Sequence, residues 1–191
     1  MQQQTEAWLA WRAKGLGASD APAMMGLIPK WKTRQQLLEE KAGKRTTQYT
    51  RNPAQERGVE LEPLARAYYE LYHDIEMSPI TLQHPRHAFL LASMDGWNCG
   101  ENRGLEIKCP GAKDHGTAVG GTVPEKYYYQ LIHQFLVSGA ERIDYFSYKS
   151  ISDYCTLTVY RDERAVEEYL GHALAFWDEV RELAAGSVEL F

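Results

Sequence analysis

The chain has 191 residues, of which 44% are apolar and 25% are charged, and its formal net charge is -5. This length predicts a single domain over residues 1–191, and no apolar run approaches the roughly 18 residues of a membrane span. Three scattered cysteines exclude a disulfide framework, a structural zinc site and a four-thiolate iron–sulfur cluster within one chain. Because the N-terminus also lacks a signal-peptide core, we expect a cytoplasmic protein without a membrane partner.

The N-terminal part of the chain has helical patterns. Residues 5–13 predict a short amphipathic helix, Ser19 or Asp20 is the predicted N-cap of a second helix, and residues 33–42 predict a third. The basic segment 44–51 is predicted to be a mobile loop.

The rest of the chain alternates between helical and strand patterns. A long helix is predicted over residues 54–73, and residues 75–109 change to short runs that predict three or four strands in a meander. Beyond these, the pattern predicts a helix over 124–137, a strand pair over 142–149 and 153–160, and a final helix over 162–185. This order predicts an α/β fold in which helices sandwich a sheet, with the strand order left open.

Charge is distributed unevenly along these elements. Residues 1–58 carry 10 basic against 5 acidic side chains, whereas residues 59–191 carry 11 against 21. The net charge alone argues against a nucleic-acid partner. A basic N-terminal third facing a carboxylate site is nevertheless compatible with a polyanionic substrate held in a cleft.

The most informative motif lies in the strand-like run Gly104–Pro110. Side chains two residues apart on a strand share a face, so Glu106 and Lys108 are predicted to project together. The opposite face would carry Leu105, Ile107 and Cys109. A second carboxylate, Asp95, lies in the turn that ends the preceding apolar run. Two carboxylates and a lysine that converge at a strand edge predict a divalent-metal site for phosphodiester cleavage.

Simpler interpretations compete with this one. Glu106 and Lys108 could form only a same-face ion pair on a solvated strand. Lys108 is expected to stay protonated and to orient the attacking water or the phosphate, and a general-base role requires burial that lowers its pKa. Thiol chemistry by Cys109 with His115 is disfavoured because Cys109 faces away from Lys108.

Four further residues stand in suggestive contexts. Arg12 and Ser19 flank the first turn, Glu62 lies on the long helix, and Gln130 follows three tyrosines at 127–129. Taken singly, Arg12 suits a surface ion pair and Ser19 a helix N-cap. Glu62 suits a solvated carboxylate, Gln130 an ordinary helix residue, and the tyrosines suit the core. Together with the strand motif, they resemble the lambda-type alkaline exonucleases, or YqaJ-like viral recombinases, of the PD-(D/E)xK nuclease superfamily. The resemblance runs from Trp8 to about Tyr148 and is carried by Arg12…Ser19, Arg57-Gly58-x-x-x-Glu62, Ser93-Met94-Asp95-Gly96, Gly104–Pro110 and Tyr128-Tyr129-Gln130.

The resemblance implies a fold and a set of site residues. The fold would be a restriction-endonuclease-like core, with a central mixed β-sheet flanked by helices. The implied metal ligands are Asp95, Glu106, the Ile107 carbonyl and Glu62. Lys108 would be catalytic, Gln130 would help to hold it, and Arg12 and Ser19 would contact substrate phosphate. Glu60 and Gln134 remain open as alternatives to Glu62 and Gln130, and Met94 departs from the proline of the superfamily motif.

The resemblance also implies an activity. This is a Mg²⁺-dependent 5′-to-3′ exodeoxyribonuclease, with Mn²⁺ able to substitute, that acts on double-stranded DNA ends. It would release 5′-mononucleotides and leave 3′ single strands for recombination. A ring-shaped homotrimer, a single-strand annealing partner and a DNA cleft shaped by residues 1–52 are implied as well. The alternatives are a restriction- or repair-type endonuclease on the same core and a non-catalytic DNA-end-binding module.

Overall fold

The computed structural model describes residues 3, 5–28, 31–46 and 53–186. Its helices are α1 (Glu6–Ala13), α2 (Ala21–Met24), α3 (Arg34–Lys41), α4 (Pro53–His73), α5 (Ala112–Val119), α6 (Glu125–Ser138) and α7 (Glu163–Ala185). Its strands are β1 (Leu16–Gly17), β2 (Ile80–Gln83), β3 (Leu90–Met94), β4 (Gly96–Asn98), β5 (Arg103–Lys108), β6 (Arg142–Ser150) and β7 (Asp153–Tyr160). A 3₁₀ turn over Ala18–Asp20 leads into α2. None of the helices in this part of the chain combines the length and apolar character that a membrane crossing requires.

The strands form two mixed sheets flanked by helices, which confirms the predicted fold class. One sheet has the order β1-β3-β2 and the other the order β4-β5-β6-β7. β5 runs parallel to β6, and β6 runs antiparallel to β7. A parallel neighbour requires a long crossover, which here contains α5 and α6.

The predicted meander over residues 75–109 is wrong. β2 pairs antiparallel with β3, and β4 pairs antiparallel with β5. However, β3 and β4 lie in different sheets, and Asp95 alone separates them in the chain. Turn residues and alternation identify strands but do not identify the partner of each strand, so this break is invisible in the sequence pattern.

Packing on the four-stranded sheet follows the alternation of its strands. Ile143 and Tyr145 of β6 belong to the large core cluster, which also includes side chains of α6 and α7. Phe146 and Tyr148 belong to a smaller cluster with Tyr69 of α4. α4 therefore covers one face of this sheet, and α6 covers the other.

Helix boundaries agree closely with the sequence signals where such signals exist. α6 begins after Pro124 and ends at Gly139, which adopts the left-handed φ of 68° that favours glycine at a helix end. α5 is missing from the sequence prediction: Gly111 precedes it without a capping side chain, and Gly116 in its interior lowers the helix propensity. Of the predicted loop 44–51, residues 47–51 lie outside the described part.

Candidate functional site

β5 presents its motif on two faces, as alternation predicts. Glu106 is 1% exposed and forms an ion pair with Lys108, two residues along the strand. Ile107 packs instead into the smaller core cluster, and Cys109 packs against that cluster. Glu106 and Lys108 thus share the face of β5 that is covered by α6.

Two amides of α6 hold the buried carboxylate. Gln130 donates from Nε2 to Glu106 Oε1 at 2.6 Å, and Gln134 donates from Nε2 to Glu106 Oε2. Because the two glutamines are one helical turn apart, they reach the two oxygens of one carboxylate. The structure therefore brings both Gln130 and Gln134 to the site, and they bond to Glu106 rather than directly to Lys108.

Asp95 is hydrogen bonded to the backbone of the same strand, β5. Its Oδ2 accepts a hydrogen bond of 2.8 Å from the backbone N–H of Ile107. Burial raises the pKa of Asp95 well above its ordinary value, and the negative charges of Glu106 and Glu62 raise it further. The pocket around Asp95 therefore has more negative charge than its own residues neutralise.

Lys108 is the cation of this pocket. Burial lowers the pKa of Lys108, but the charges of Glu106 and Asp95 outweigh burial and raise it above its ordinary value. Its Nζ also lies 5.1 Å from the ring centre of Tyr127. A lysine held in this way stays protonated, so its environment favours an orienting role over general-base catalysis.

Glu62 lies on α4 at the border of the pocket. Its Oε1 accepts from Arg66 Nη2 at 2.8 Å. Burial raises the pKa of Glu62; the charge of Arg66 opposes this shift and that of Glu106 adds to it. The carboxylate of Glu62 thus interacts electrostatically with the β5 motif, whereas Glu60 is exposed to solvent.

The donor atoms suit a hard divalent cation. Asp95, Glu106 and the Ile107 carbonyl offer oxygen only, which is the preference of Mg²⁺ and Mn²⁺. In the described part of the chain, no three Asp, Glu, His or Cys side chains form a group that could hold a metal ion. Two carboxylates and one carbonyl would leave most positions around such a cation to water, which Mg²⁺ tolerates, and Glu62 as a third carboxylate ligand remains a prediction.

Arg12 and Ser19 form a second small cluster. Arg12 Nη2 donates to Ser19 Oγ, and its guanidinium lies 5.1 Å from the ring centre of Trp8. The indole N–H of Trp8 donates to Ser93 Oγ at 2.9 Å, two residues before Asp95. The two predicted phosphate contacts are therefore brought together and joined to β3, the strand that precedes Asp95.

Sequence reasoning missed the carboxylate that anchors this cluster. Asp20 is buried, and its Oδ2 lies 3.0 Å from Lys41 Nζ and 3.1 Å from the backbone nitrogen of Gly17, which donates to it. Burial raises the pKa of Asp20, but the charges of Lys41 and Arg12 outweigh it and lower the pKa well below its ordinary value. The sequence suggested Asp20 only as a helix cap, because a partner 21 residues away on α3 leaves no local signal.

The thiol alternative gains no support from the geometry. Burial, together with the negative charge of Glu62, raises the pKa of Cys109 to about 11, so the thiol is protonated near neutral pH. His115 is hydrogen bonded instead to Ser147 Oγ and to Asp153 Oδ1, each at 2.8 Å.

Comparisons with known proteins agree on one family. The model of the YqaJ-like viral recombinase domain matches residues 7–141. The "Uncharacterized protein YqaJ" of Bacillus subtilis (strain 168) is 29% identical over 176 residues, which cover 90% of this chain and 55% of that protein. The chain therefore spans about half the length of this curated relative.

Solved structures share the fold. The alkaline exonuclease LHK-Exo from Laribacter hongkongensis matches with a TM-score of 0.83 and 29% identity over 96% of each chain. LHK-Exo in complex with dAMP matches with a TM-score of 0.82 and 31% identity over 94% of each chain. A phage-related exonuclease from Haemophilus somnus 129PT, at 12% identity and a TM-score of 0.65, covers 91% of this chain and 96% of its own and shares the fold alone.

Proposed function

Because the chain belongs to the YqaJ-like viral recombinase family, we propose that it is a metal-dependent 5′-to-3′ exodeoxyribonuclease acting on double-stranded DNA ends. It releases 5′-mononucleotides and leaves 3′ single strands for recombination. The likeness to an alkaline exonuclease supports nuclease chemistry, and the complex of that relative with dAMP supports a mononucleotide product. Polarity and preference for duplex ends rest on the family resemblance.

The convergence of two carboxylates and a lysine on β5 is the main support for this proposal. Asp95 and Glu106 approach the same short stretch of β5, where Lys108 pairs with Glu106 and Ile107 binds Asp95. An acidic pocket that includes one fixed cation suits a bound metal ion and a phosphodiester, and it exceeds what a simple surface ion pair requires.

Each residue then has a role that its contacts support. Asp95, Glu106 and the Ile107 carbonyl would hold Mg²⁺, which Mn²⁺ could replace, with Glu62 as the further carboxylate. When bound there, the ion would lower the pKa of a water and offset negative charge at the phosphate. Lys108, kept protonated by its acidic neighbours, orients the scissile phosphate. Gln130 keeps Glu106 in place.

Arg12 and Ser19 bind the 5′-phosphate of the DNA end in this proposal. An arginine that donates to a neighbouring hydroxyl can turn its remaining N–H groups toward phosphate oxygens. The whole chain acts as one nuclease domain, in which residues 1–52 shape the DNA cleft. A ring-shaped homotrimer and a single-strand annealing partner follow from the family resemblance alone.

Isosteric substitutions test the proposal directly. We expect Asp95→Asn, Glu106→Gln and Lys108→Met each to slow digestion of 5′-phosphorylated linear duplex by about a hundredfold or more. The first two weaken the hold on the metal ion, and the third removes the cation that orients the phosphate. The assay measures release of end label in Mg²⁺ and in EDTA. Arg12→Ala should weaken the preference for a 5′-phosphorylated over a 5′-hydroxyl end.

The controls separate the alternatives. Asp178→Asn removes an exposed carboxylate on α7 and should leave digestion unchanged. A covalently closed plasmid stays intact if the enzyme needs an end, and its cleavage would instead identify an endonuclease. Binding of DNA ends with no Mg²⁺-dependent release of nucleotides by the wild-type protein would reject the enzyme and leave a binding module.

A further inference from the structure

An aromatic and cationic row leads from the candidate site to solvent. Lys108 Nζ lies 5.1 Å from the ring centre of Tyr127, and Lys126 Nζ lies 4.9 Å from the same ring centre. On its other side, Lys126 Nζ lies 4.9 Å from the ring centre of Trp31. All three distances fall within the range of attraction between a cation and an aromatic ring. The row therefore runs Lys108, Tyr127, Lys126, Trp31.

The outer end of the row is an exposed indole. Trp31 is 70% exposed, although tryptophan is on average a highly buried residue. With Lys126 beside the ring, most of the side-chain surface is still exposed, so a planar ligand can reach it. Trp31 contributes little to the core, and so its exposure calls for another explanation.

The backbone and side chains around Trp31 hold it in place. The backbone nitrogens of Trp31 and Lys32 both donate to the carbonyl of Ile28, at 2.9 and 3.1 Å. Lys32 forms an ion pair of 2.8 Å with Glu40 on α3. Thr33, next in the chain, caps α3. Lys126 is fixed in turn by an ion pair with Asp114. The backbone that carries the indole is thus held at Trp31 and at the two residues that follow it, which lowers the entropy lost when a ligand stacks there.

We propose that Trp31 stacks on a base of the DNA strand whose phosphate lies at Lys108, and that Trp31 thereby holds the strand end at the site. This inference rests on the proposed function, because it takes the phosphate at Lys108 to belong to DNA. Each step of the row is about 5 Å, whereas successive nucleotides of one strand rise about 3.4 Å in a duplex. A base on Trp31 therefore lies only a few nucleotides from the scissile bond.

The chemistry of the row favours a nucleobase over an apolar protein segment. Stacking on an indole is available to every base, so it suits an enzyme that digests any sequence. Lys126 lies beside the ring, and its ammonium has further N–H donors besides the one directed at Asp114. These donors complement phosphate oxygens and give nothing to an apolar partner. A second copy of the chain is the other partner that would cover Trp31, and the test must distinguish it from DNA.

A fluorescent base placed in the DNA tests the contact. The probe is a 5′-phosphorylated linear duplex with 2-aminopurine at one of the terminal positions of either strand, bound by the full chain in EDTA. We expect quenching of 2-aminopurine at one or two of these positions for the wild-type protein. Trp31→Ala should abolish this quenching and weaken binding about tenfold, whereas Trp31→Phe should keep most of both.

Matched measurements distinguish stacking from charge and from folding. Tyr160 is an equally exposed aromatic residue, at 69%, and it lies opposite Arg142 at the end of the sheet remote from Lys108. Tyr160→Ala should therefore leave binding and quenching unchanged. Trp31→Ala should keep the salt dependence of binding, since it removes no phosphate contact. Its melting temperature should stay near that of the wild type because the side chain is exposed.

Two results would overturn the inference. One is a Trp31→Ala variant that binds and quenches like the wild type while the wild type digests linear duplex in Mg²⁺. The other is a Trp31→Ala variant whose oligomeric state changes without DNA while its DNA affinity does not. If the wild type fails to digest DNA but quenches through Trp31, the proposed nuclease activity fails and the base contact stands.

Discussion

Glu106 shows at the scale of one residue how a buried charge is kept. A carboxylate at 1% exposure has lost its hydration, and such a group is costly unless every lone pair finds a donor. Lys108 and Gln130 approach Oε1, and Gln134 approaches Oε2. The alternation on β5 allowed the pairing of Glu106 with Lys108 to be predicted. The sequence offered Gln134 only as an alternative to Gln130. That both amides bond to Glu106 depends on how α6 is rotated against the sheet, which the sequence does not show.

Gln134 is therefore expected to matter as much for stability as for the site. Gln134→Leu keeps the volume but leaves Glu106 Oε2 without its amide donor, so we expect the free energy of unfolding to fall by about 1–3 kcal/mol. Urea denaturation near neutral pH, followed by circular dichroism, measures this loss.

Gln35 offers a matched comparison on α3. Its amide donates to Glu39 at 2.9 Å, four residues along the helix, but this pair is exposed. Gln35→Leu should change the free energy of unfolding by no more than about 0.5 kcal/mol. Equal effects of Gln134→Leu and Gln35→Leu would show that the bond to Glu106 is no stronger than a surface contact.

At the scale of elements, the sequence predicted the boundaries of α6 well but did not predict the tertiary contacts of its side chains. Pro124 and the Ser138-Gly139 end fixed its boundaries within a residue or two. The sequence also placed Gln130 on this helix. By contrast, no sequence pattern pointed to His133. Its hydrogen-bond partners lie on β3 and α7, and a local sequence pattern does not predict contacts between distant elements.

His133 is buried between α6, β3 and α7. Its Nε2 donates to the carbonyl of Leu91 at 2.9 Å, and its Nδ1 accepts from the hydroxyl of Tyr169 at 2.8 Å. Burial lowers the pKa of His133 to about 4. The ring is therefore neutral in the folded protein throughout the physiological range.

This burial predicts a loss of stability in mild acid. The unfolded chain takes up a proton at His133 near pH 6.5, and the folded chain takes it up only near pH 4, so stability falls as pH drops between these values. At about pH 5 we expect this group to cost about 2 kcal/mol relative to about pH 7.5. Urea denaturation at the two pH values measures the difference.

Two variants isolate the contribution of His133 from that of the carboxylates. His133→Gln should reduce the pH-dependent loss by about 2 kcal/mol, whatever its stability at neutral pH. His172→Gln removes an exposed histidine of α7 and should retain the full loss. An unchanged pH dependence in His133→Gln would refute the assignment to this ring.

At the scale of the whole molecule, the junction of the two sheets decides where the site lies. The sequence predicted an α/β fold with strands over 75–109, and that prediction is confirmed. It could not assign β3 and β4 to different sheets, because the pattern does not identify the partner of each strand. Gly96 provides the physical reason for the close junction. A Cβ there would lie 2.8 Å from Met77 Cβ and 3.1 Å from Leu105 Cβ.

A side chain at Gly96 is thus expected to push the junction apart. Gly96→Ala should lower the free energy of unfolding by about 1–3 kcal/mol, because Met77 and Leu105 are buried and have little room to move. Gly116 of α5 is the control, since a Cβ there meets no atom within 4 Å among the described residues. Gly116→Ala should stabilise the protein by about 0.5–1 kcal/mol. A Gly96→Ala variant as stable as the wild type would show that the two sheets tolerate separation.

The position of Asp95 has a consequence for how the protein loses function. β3 ends at Met94 and β4 begins at Gly96, so this carboxylate belongs to neither sheet and is the pivot between them. Glu106 is fixed to the four-stranded sheet, while the chain that leads to Asp95 is fixed to the three-stranded sheet. The distance between the two carboxylates therefore depends on how the two sheets are held together, and the hydrogen bond from Ile107 to Asp95 is one of the links between them. A substitution that shifts one sheet relative to the other would separate the two carboxylates and abolish activity while every strand stays intact.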